Sequence, residues 1–274
     1  MTTAEAARLL LGWDELLLLT HVRPDGDTVG SAAALCQALR DRGKTAYLLP
    51  NPELTATYAP YAAPYAAPEG FVPRHVVSVD IAALSLLPEN ARPYQDRIDL
   101  AIDHHPSQEF FARETCLEAE SAACGEIVYN IVTLMTPLTP EIALPLYVAV
   151  STDTGCFVYS NTTARTHRIA AALMTELSTI TPEAIHITGM RVTFKDVNPG
   201  KQEARRGTKK PSEPEESAVA VLTGSVAGDM LQRESQLAEF LSQLEHSPMV
   251  LSLVVEKQQT DTEILSFVAT LRLV

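Results

Sequence analysis

Cysteine is scarce in this 274-residue sequence, and no two cysteines stand close together. The four that are present show no C-x-x-C spacing; they are Cys36, Cys116, Cys124 and Cys156. This spacing gives no indication of a thiolate metal motif or of a disulfide framework. We expect reduced, buried thiols and a cytoplasmic location.

Long hydrophobic runs and positive charge are lacking as well. The first seven residues carry no Lys or Arg, and Asp14 and Glu15 interrupt the first apolar stretch, so we expect neither a signal peptide nor a membrane span. Lys and Arg number 21 against 34 Asp and Glu, which gives a formal net charge of −13. Sequence-independent binding of a polyanion relies on Lys and Arg, so this balance argues against a long nucleic-acid groove.

The sequence does contain short hydrophobic runs separated by helix-like segments. Residues 16–20, 75–79 and 98–102 are rich in Leu, Ile and Val, which is typical of strands buried on both faces of a parallel sheet. Helical patterns occupy residues 30–39, 126–134, 141–150 and 165–177, and the segment 51–73, rich in Pro, Ala and Tyr, predicts a loop. We therefore predict an α/β fold, with an N-terminal parallel-sheet domain carrying helices on both faces over residues 1–185.

Four clusters of Asp and His stand out, and three of them come directly after a hydrophobic run. The clusters are His21-x-x-x-Asp25-x-Asp27, Asp80, Asp103-His104-His105, and Asp153 within the segment 151–155. Because the carboxyl ends of parallel strands share one edge of a sheet, side chains that are far apart in sequence can converge there.

Convergence of these residue types indicates a divalent-cation site. Neutral imidazole and carboxylate oxygen suit Mn²⁺, Mg²⁺ or Fe²⁺ and suit thiolate-preferring metals poorly. Two carboxylates about 4 Å apart repel by roughly 4 kcal/mol at an effective dielectric constant of about 20, so four would not converge without cations. Asp25, Asp27, Asp80 and Asp153 match the charge of two divalent ions, whose open positions could hold a phosphate and a water.

Each cluster taken alone also has a plainer structural explanation. Asp25-Gly26-Asp27 after a proline is typical of a turn, and Asp80 or Asp153 could cap a helix or a turn. A His-His pair is usually a polar pair at a strand end. The occurrence of all four clusters in one chain, in this order, favours the metal site.

In sequence and order, the four clusters and the segment 159–168 resemble the motifs of the DHH phosphoesterase superfamily, most closely its nanoRNase/pAp-phosphatase branch. The resemblance covers about residues 13–180. It implies a hydrolase with two Mn²⁺ ions, or Mg²⁺ or Fe²⁺ in their place, that cleaves short RNA or DNA oligonucleotides, linear dinucleotides or 3′-phosphoadenosine 5′-phosphate with a hydroxide activated by both metals. It further implies that one ion is held by His21, Asp25 and Asp80, and the other by Asp27, Asp80, His104 and Asp153.

Three further residues are candidates for roles beside the metals. The resemblance implies that His105 faces the substrate phosphate, as a hydrogen-bond donor or as a proton donor to the leaving oxygen, and that Asp103 supports its neighbours. Ser31 lies near the start of a predicted helix, where its hydroxyl and the first free amides could contact a phosphate oxygen. Ser31 could equally be a small capping residue.

The character of the chain changes after the first domain. Residues 186–217 are polar, rich in Pro and mixed in charge, which predicts a linker. Residues 218–274 predict a smaller α/β domain, with strands at 218–222, 250–255 and 264–273, a helix at 230–244 and a turn at 259–261. This part resembles the start of the DHHA1 domain, but no glycine- and histidine-rich GGGHxxAAG loop is found. We expect a truncated DHHA1-like domain whose last strand has an unpaired edge, which would favour a homo-oligomer.

Two other functions stay open on the sequence. One is hydrolysis of inorganic pyrophosphate, as in the related family II pyrophosphatases, although the segment 159–168 fits the nucleotide branch better. The other is a catalytically impaired relative that binds a nucleotide or a metal without turnover, because catalysis needs a surface that holds the substrate in line with the attacking water.

Overall fold

The computed structural model describes residues 1–178, 185–194, 218–227, 230–245, 250–259 and 264–273. Contacts divide the chain into two units, Met1–Ile180 and Thr181–Val274. Each unit has a hydrophobic core of its own.

The first unit is built on a five-stranded sheet in which every neighbouring pair is parallel, in the order β2-β1-β3-β4-β5. Its strands are β1 (Leu16–Leu19), β2 (Ala46–Leu48), β3 (His75–Val79), β4 (Leu100–Asp103) and β5 (Glu114–Leu117). Its helices are α1 (Thr3–Gly12), α2 (Gly26–Asp41), α3 (Ala59–Ala62), α4 (Cys124–Met135), α5 (Pro140–Asp153) and α6 (Ala164–Ser178). The predicted α/β fold with a parallel sheet is confirmed.

Both faces of this sheet are buried, which explains the continuous hydrophobic runs. Successive side chains of a strand point to opposite faces, so Leu16 and Leu18 join a core with the α-helices, whereas Leu17 and Leu19 join a second core. The second core is closed by residues of the 3₁₀ helices Leu84–Leu86 and Glu89–Arg97 and of the segments around them.

Helix α2 begins at Gly26, four residues earlier than the sequence pattern predicts. Two glycines allow it to approach α5 closely. A Cβ atom at Gly30 would collide with the backbone oxygen of Pro145, and one at Gly26 would collide with the side chain of Thr152. The contact matters for the site, because α2 and α5 each carry acidic residues at the end that faces the strand termini.

The Pro-rich segment 51–73 is not entirely a loop, contrary to our prediction. It contains α3 and a 3₁₀ helix, Ala63–Tyr65, each with a proline near its start, where the missing N–H costs no hydrogen bond. Tyr65 anchors this segment to α2, since its hydroxyl donates to Gln37 Oε1 at 2.9 Å and its ring lies under the guanidinium of Arg40.

The described residues of the second unit form a four-stranded antiparallel sheet and one helix. The elements are β6 (Ile185–Phe194), β7 (Ala218–Ala227), α7 (Met230–Glu245), β8 (Val250–Gln259) and β9 (Ile264–Leu273), with the strands in the order β6-β7-β9-β8. The last strand, β9, pairs with β7 on one side and β8 on the other. Our expectation of an unpaired edge on this strand is therefore wrong, because hydrogen bonding to β7 places β9 in the interior of the sheet. A homo-oligomer stays a prediction without that support.

Strand β6 lies where we predicted the start of a linker. Apolar residues alternate with other residues along its sequence on both sides of Gly189. The pairing with β7 shifts in register at this glycine, and glycine in a strand often marks such a bulge. A linker over 186–194 is thus wrong, because the polar, Pro-rich sequence begins only after Phe194. Residues 195–217 and the turn positions 260 and 261 lie outside the described residues, and the overall domain limits stay a prediction.

The cysteines follow the prediction with one exception. Cys36, Cys116 and Cys124 are free and buried, whereas Cys156 is free and exposed because it lies in the turn that follows α5. In the part of the chain that the structure describes, no helix is both long enough and apolar enough to cross a membrane.

Candidate metal centre

The carboxyl ends of the central strands β1, β3 and β4 bring the predicted clusters together. Each strand is followed directly or after one residue by a member of the site: His21 after β1, Asp80 after β3, and His104 and His105 after β4. Asp25 and Asp27 lie at the start of α2, and Asp153 is the last residue of α5. Asp153 thus reaches the site from a helix end, whereas the other clusters follow strands.

The six predicted ligands form two groups. His21, Asp25 and Asp80 make up the first group, and Asp27, His104 and Asp153 make up the second. Within each group, one candidate ligand atom from each residue lies within 4.8 Å of the others. The first group equals one of the two ligand sets that the family resemblance implies, and the second group matches the other set except for Asp80. A third group consists of Asp80, His104 and His105.

Asp80 lies between the two groups. Its Oδ2 atom is 3.7 Å from Nε2 of His21, and its Oδ1 atom is 3.5 Å from Nε2 of His104. The two oxygens of one carboxylate therefore face the histidine of each group, which is the arrangement expected of a residue that bridges two cations.

Backbone carbonyls set the orientation of both histidines. Nδ1 of His21 lies 2.7 Å from the carbonyl oxygen of Val22, and Nδ1 of His104 lies 3.1 Å from that of Ser121. In the tautomer that makes these hydrogen bonds, Nδ1–H donates and Nε2 keeps its lone pair. A carbonyl behind the ring is the usual partner of a histidine that binds a metal.

Asp27 is held by the start of α4. Its Oδ2 accepts the N–H of Cys124 at 2.6 Å, and its Oδ1 accepts the N–H of Gly125 at 2.9 Å and the hydroxyl of Ser31 at 3.0 Å. Ser31 is fully buried in this contact. A direct contact of Ser31 with a phosphate, as we predicted, does not fit this position; the hydroxyl instead orients a predicted metal ligand.

The first amides of α2 are likewise occupied. Asp25 caps the helix, and its Oδ1 accepts the N–H groups of Asp27 at 3.0 Å and Thr28 at 3.2 Å. The predicted contact between free amides of this helix and a phosphate therefore loses its donors. Asp25 serves as a cap, and in the same position its Oδ1 lies 3.6 Å from Nε2 of His21.

Two buried polar atoms at the centre have no hydrogen-bond partner: Asp80 Oδ1 and His104 Nε2. Asp80 also has a backbone φ of +61°, an uncommon conformation for a residue other than glycine, and its N–H is fixed by the carbonyl of Ile102 at 2.8 Å. Leaving buried acceptors unpaired is costly, and a cation would satisfy both. The donor set and its unpaired atoms thus fit a divalent metal.

The electrostatics of the protein alone agree with this fit. Burial and the neighbouring Asp153 charge raise the pKa of Asp27 to about 8. Burial and the Asp27 charge raise the pKa of Asp80 well above its ordinary value, and burial also raises the pKa of Asp153. In Asp25 burial acts in the same direction, but interaction with His21 and two backbone amides outweighs it and the pKa is lowered. Three of the four carboxyls therefore favour a bound positive charge.

His105 is oriented by residues that the sequence analysis only partly identified. Its Nδ1 lies 2.8 Å from Oδ1 of the buried Asp103, and this hydrogen bond raises the pKa of His105. Asp103 Oδ2 accepts Nε2 of the buried Gln108 at 2.7 Å, and the same nitrogen donates to the carbonyl of Ile81 at 2.9 Å. Sequence reasoning missed Gln108, because an isolated glutamine has no distinguishing pattern. It also missed the amides of α4, because backbone groups leave no trace in a sequence.

An open cleft of about 450 Å³ lies over the first group and His105. It is lined by His21, Val22, Arg23, Asp25, Asp80, Leu86, His105 and Asp153. The volume lies within the range typical of small-ligand sites.

Residues 15–150 match the family model described as the DHH family, N-terminal domain. The chain therefore contains a DHH-family N-terminal domain. The matched segment contains the first three clusters, and Asp153 follows three residues after its end.

The chain is similar to two curated proteins that are both named bifunctional oligoribonuclease and PAP phosphatase NrnA. It is 31% identical to the protein of Thermus thermophilus over 160 residues, which are 58% of this chain and 49% of that one. It is 25% identical to the protein of Bacillus subtilis over 176 residues, which are 62% of this chain and 56% of that one. The chain thus matches about half the length of these DHH relatives.

A solved structure supports the fold. It is an exopolyphosphatase-related protein from Bacteroides fragilis, which matches with a TM-score of 0.57 and 21% identity over 64% of this chain and 56% of that one. At this identity the likeness supports the fold alone.

Proposed function

We propose that this DHH-family chain is a divalent-metal-dependent phosphoesterase that hydrolyses short oligonucleotides, linear dinucleotides or 3′-phosphoadenosine 5′-phosphate. The observation that carries the proposal is the pair of three-residue groups that flank Asp80, with one oxygen of its carboxylate toward each histidine. The names of the curated relatives support the substrate class.

The residues that would hold the metals follow from the two groups. His21 and Asp25 would bind one ion, Asp27, His104 and Asp153 the other, and Asp80 both. When bound, two divalent ions supply a nucleophile from water at neutral pH and neutralise charge on the phosphate. We propose Mn²⁺ as the ion, with Mg²⁺ or Fe²⁺ as alternatives, because imidazole and carboxylate ligands suit all three.

His105 would act on the substrate. Its side chain is 43% exposed and lines the cleft, whereas Asp103 behind it is fully buried. With Nδ1–H donated to Asp103, the ring keeps Nε2 for the substrate, and the raised pKa favours a protonated ring. His105 would therefore donate a hydrogen bond to the phosphate or a proton to the leaving oxygen.

A small substrate fits the charge of the protein. The formal net charge of −13 disfavours extended contact with a polyanion, whereas one phosphate can be held locally by bound cations. The cleft over His21, Asp80 and His105 has a volume of about 450 Å³, which lies within the range of small-ligand sites. A cytoplasmic location, where such substrates arise, is part of the same proposal.

The test is chromatography of the products after incubation of the chain with Mn²⁺ and the dinucleotide pApA. Release of AMP by the wild type and not by Asp27→Ala supports the proposal. The variant Asp27→Asn is the matched control, because it keeps the shape of the side chain and removes the charge that would bind the metal. Stoichiometric Mn²⁺ binding without release of AMP would instead support a relative that binds a nucleotide or metal without turnover.

A further inference from the structure

The segment 159–168, whose sequence resembles one branch of the family, contributes no residue to the two metal groups. Within it, Arg165 lies near the start of α6 and is about two-thirds buried. Its Nη2 donates to Glu118 Oε2 at 2.7 Å, and its Nε lies 3.5 Å from Glu126 Oε2. One arginine thus joins two acidic residues, one in the loop after β5 and one in α4.

The contact with Glu118 leads to His104. Glu118 Oε2 also accepts the hydroxyl of Ser121 at 3.1 Å, and the backbone N–H of Ser121 donates to the Glu118 carbonyl at 2.9 Å. The carbonyl of Ser121 in turn is the partner of His104 Nδ1. The position of that carbonyl sets where Nε2 of His104 points, so the loop from Glu118 to Ser121 controls the orientation of this ligand.

The contact with Glu126 leads to Asp27. Glu126 lies in the first turn of α4 and its side chain is only 1% exposed, yet neither carboxylate oxygen has a hydrogen-bond partner. Arg165 forms its ion pair. The residues just before Glu126 are Cys124 and Gly125, whose N–H groups hold the Asp27 carboxylate. An ion pair at this turn therefore fixes the amides that orient Asp27.

A second residue of the same segment supports this assignment. Asn161 Nδ2 donates to the carbonyl of Ala122 and to the carbonyl of Asp153, both at 3.0 Å. It joins the loop before α4 to the residue that completes the second ligand group.

We propose that Arg165 is a positioning residue for the metal group formed by Asp27, His104 and Asp153. Arg165 positions this group by holding the loop that orients His104 and the start of α4, whose amides orient Asp27. The inference rests on the proposed metal-dependent function. The first group is fixed by other contacts: His21 by Val22, and Asp25 by the amides of α2. Loss of Arg165 should therefore weaken one metal site and spare the other.

The experiment measures Mn²⁺ binding to the full chain, from the electron paramagnetic resonance signal of free Mn²⁺, at a temperature where circular dichroism shows each variant folded. The variants are Arg165→Gln and the double variant Arg165→Gln/Glu126→Gln. The double variant leaves no unpaired buried charge, so it separates positioning from instability caused by a lone Glu126. Arg168→Gln is the matched control, because Arg168 lies on the same helix and is exposed.

We expect the wild type and Arg168→Gln to bind two Mn²⁺ ions. Both Arg165 variants should bind one ion with unchanged affinity and the second at least about tenfold more weakly, as is typical when a partner of a metal ligand is lost. Unchanged binding of both ions by the double variant would overturn the proposal, and so would an equal loss at both sites. If the wild type binds no Mn²⁺, both this proposal and the proposed function are overturned. If the wild type and the double variant bind two Mn²⁺ ions equally well, only the role of Arg165 is overturned.

Discussion

His105 Nδ1 lies 2.8 Å from Asp103 Oδ1, and this contact joins a fully buried carboxylate to an imidazole that is 43% exposed in the cleft. Asp103 itself cannot turn away, because Gln108 and the backbone N–H groups of His104 and His105 all donate to its oxygens. The pair therefore presents the ring of His105 in a fixed orientation. Substitutions of His105 and Asp103 can therefore test whether His105 transfers a proton.

Replacing His105 with Ala should lower kcat about 100- to 1,000-fold and leave Mn²⁺ affinity within a few-fold of wild type, because general acid catalysis contributes about 10² to 10⁴ in rate. Steady-state kinetics with pApA and a parallel Mn²⁺ titration check this. A His105→Ala variant that keeps wild-type kcat would contradict the assigned role. Loss of Mn²⁺ binding would instead make His105 a ligand, together with its neighbours Asp80 and His104.

The Asp103→Asn variant should move the pH dependence of kcat. The hydrogen bond to Asp103 raises the pKa of His105, so a protonated ring persists to higher pH. If the ring donates a proton, kcat falls as the pH rises through that raised pKa, and removal of the Asp103 charge should move the fall to lower pH. The profile is measured from about pH 5 to 10, with Gln108→Ala as a variant that keeps the charge. An alkaline fall at the same pH in Asp103→Asn and wild type would contradict the prediction.

The metal-free protein should lose stability as the pH rises. The pKa of Asp27 is raised from 3.8 to about 8 in the folded chain, so the folded state binds a proton that the unfolded state has released. This contribution is fully present below the unfolded value, decreases by at most about 1.4 kcal/mol per pH unit, and is lost once the pH passes about 8. Urea unfolding in a chelator between about pH 5 and 9 measures it. The slope should be smaller in Asp27→Asn, and an identical slope would contradict the stated cause.

Asp80→Asn should stabilise the metal-free protein and abolish hydrolysis. The Asp80 carboxylate is buried beside Asp27, and its pKa is raised well above the ordinary value. Neutralising it should raise the free energy of unfolding in a chelator, because a raised pKa means that the folded chain disfavours the charged carboxylate. Thermal unfolding with and without Mn²⁺ is the measurement. Mn²⁺ should stabilise the wild type and not the variant. If Asp80→Asn is less stable than the wild type without metal, the Asp80 carboxylate is not repelled by its neighbours.

Ser31→Ala separates the observed position of Ser31 from the predicted phosphate contact. Its hydroxyl donates to Asp27 Oδ1, and a hydrogen bond of this kind contributes about 1 kcal/mol, or roughly fivefold in affinity. Mn²⁺ affinity should therefore fall several-fold, while KM for pApA at saturating Mn²⁺ stays within about twofold. A large rise in KM with unchanged Mn²⁺ affinity would restore the phosphate contact.

Gly30→Ala should destabilise the first unit. A Cβ atom there would collide with the backbone oxygen of Pro145, which belongs to α5 and cannot rotate away. Overpacking of this kind typically costs about 1–3 kcal/mol. Gly12→Ala is the matched control, because a Cβ at Gly12 meets no atom within 4 Å. Urea unfolding should show the loss in the first variant alone; equal stability of the two variants would mean that α2 and α5 can separate at no cost.

The sequence by itself predicted the three central strands of the first sheet and the identity of the candidate ligands, whereas the edge strands β2 and β5 were not predicted. Runs of Leu and Val such as residues 16–19 can be buried on both faces only in a sheet covered on both sides, so the parallel sheet follows from composition and length. The end of such a strand is also the one place where His21, Asp80 and His104 can meet. These inferences depend on local pattern and general topology, which a sequence carries.

Only the tertiary structure decided how the ligands are held and which candidates reach the cleft. Ser31 and the first amides of α2 were predicted to contact a phosphate because they lie near the helix start. In the structure, α2 packs against α4 and α5, the Ser31 hydroxyl donates to Asp27, and Asp25 accepts the hydrogen bonds of the amides. The support of Asp27 by backbone N–H groups of α4, nearly a hundred residues away, has no sequence pattern. Strand β9 likewise gained partners on both sides through pairing with β7 and β8. In each case the outcome depends on packing and hydrogen bonds between residues that are far apart in the sequence. Local sequence patterns do not contain this information.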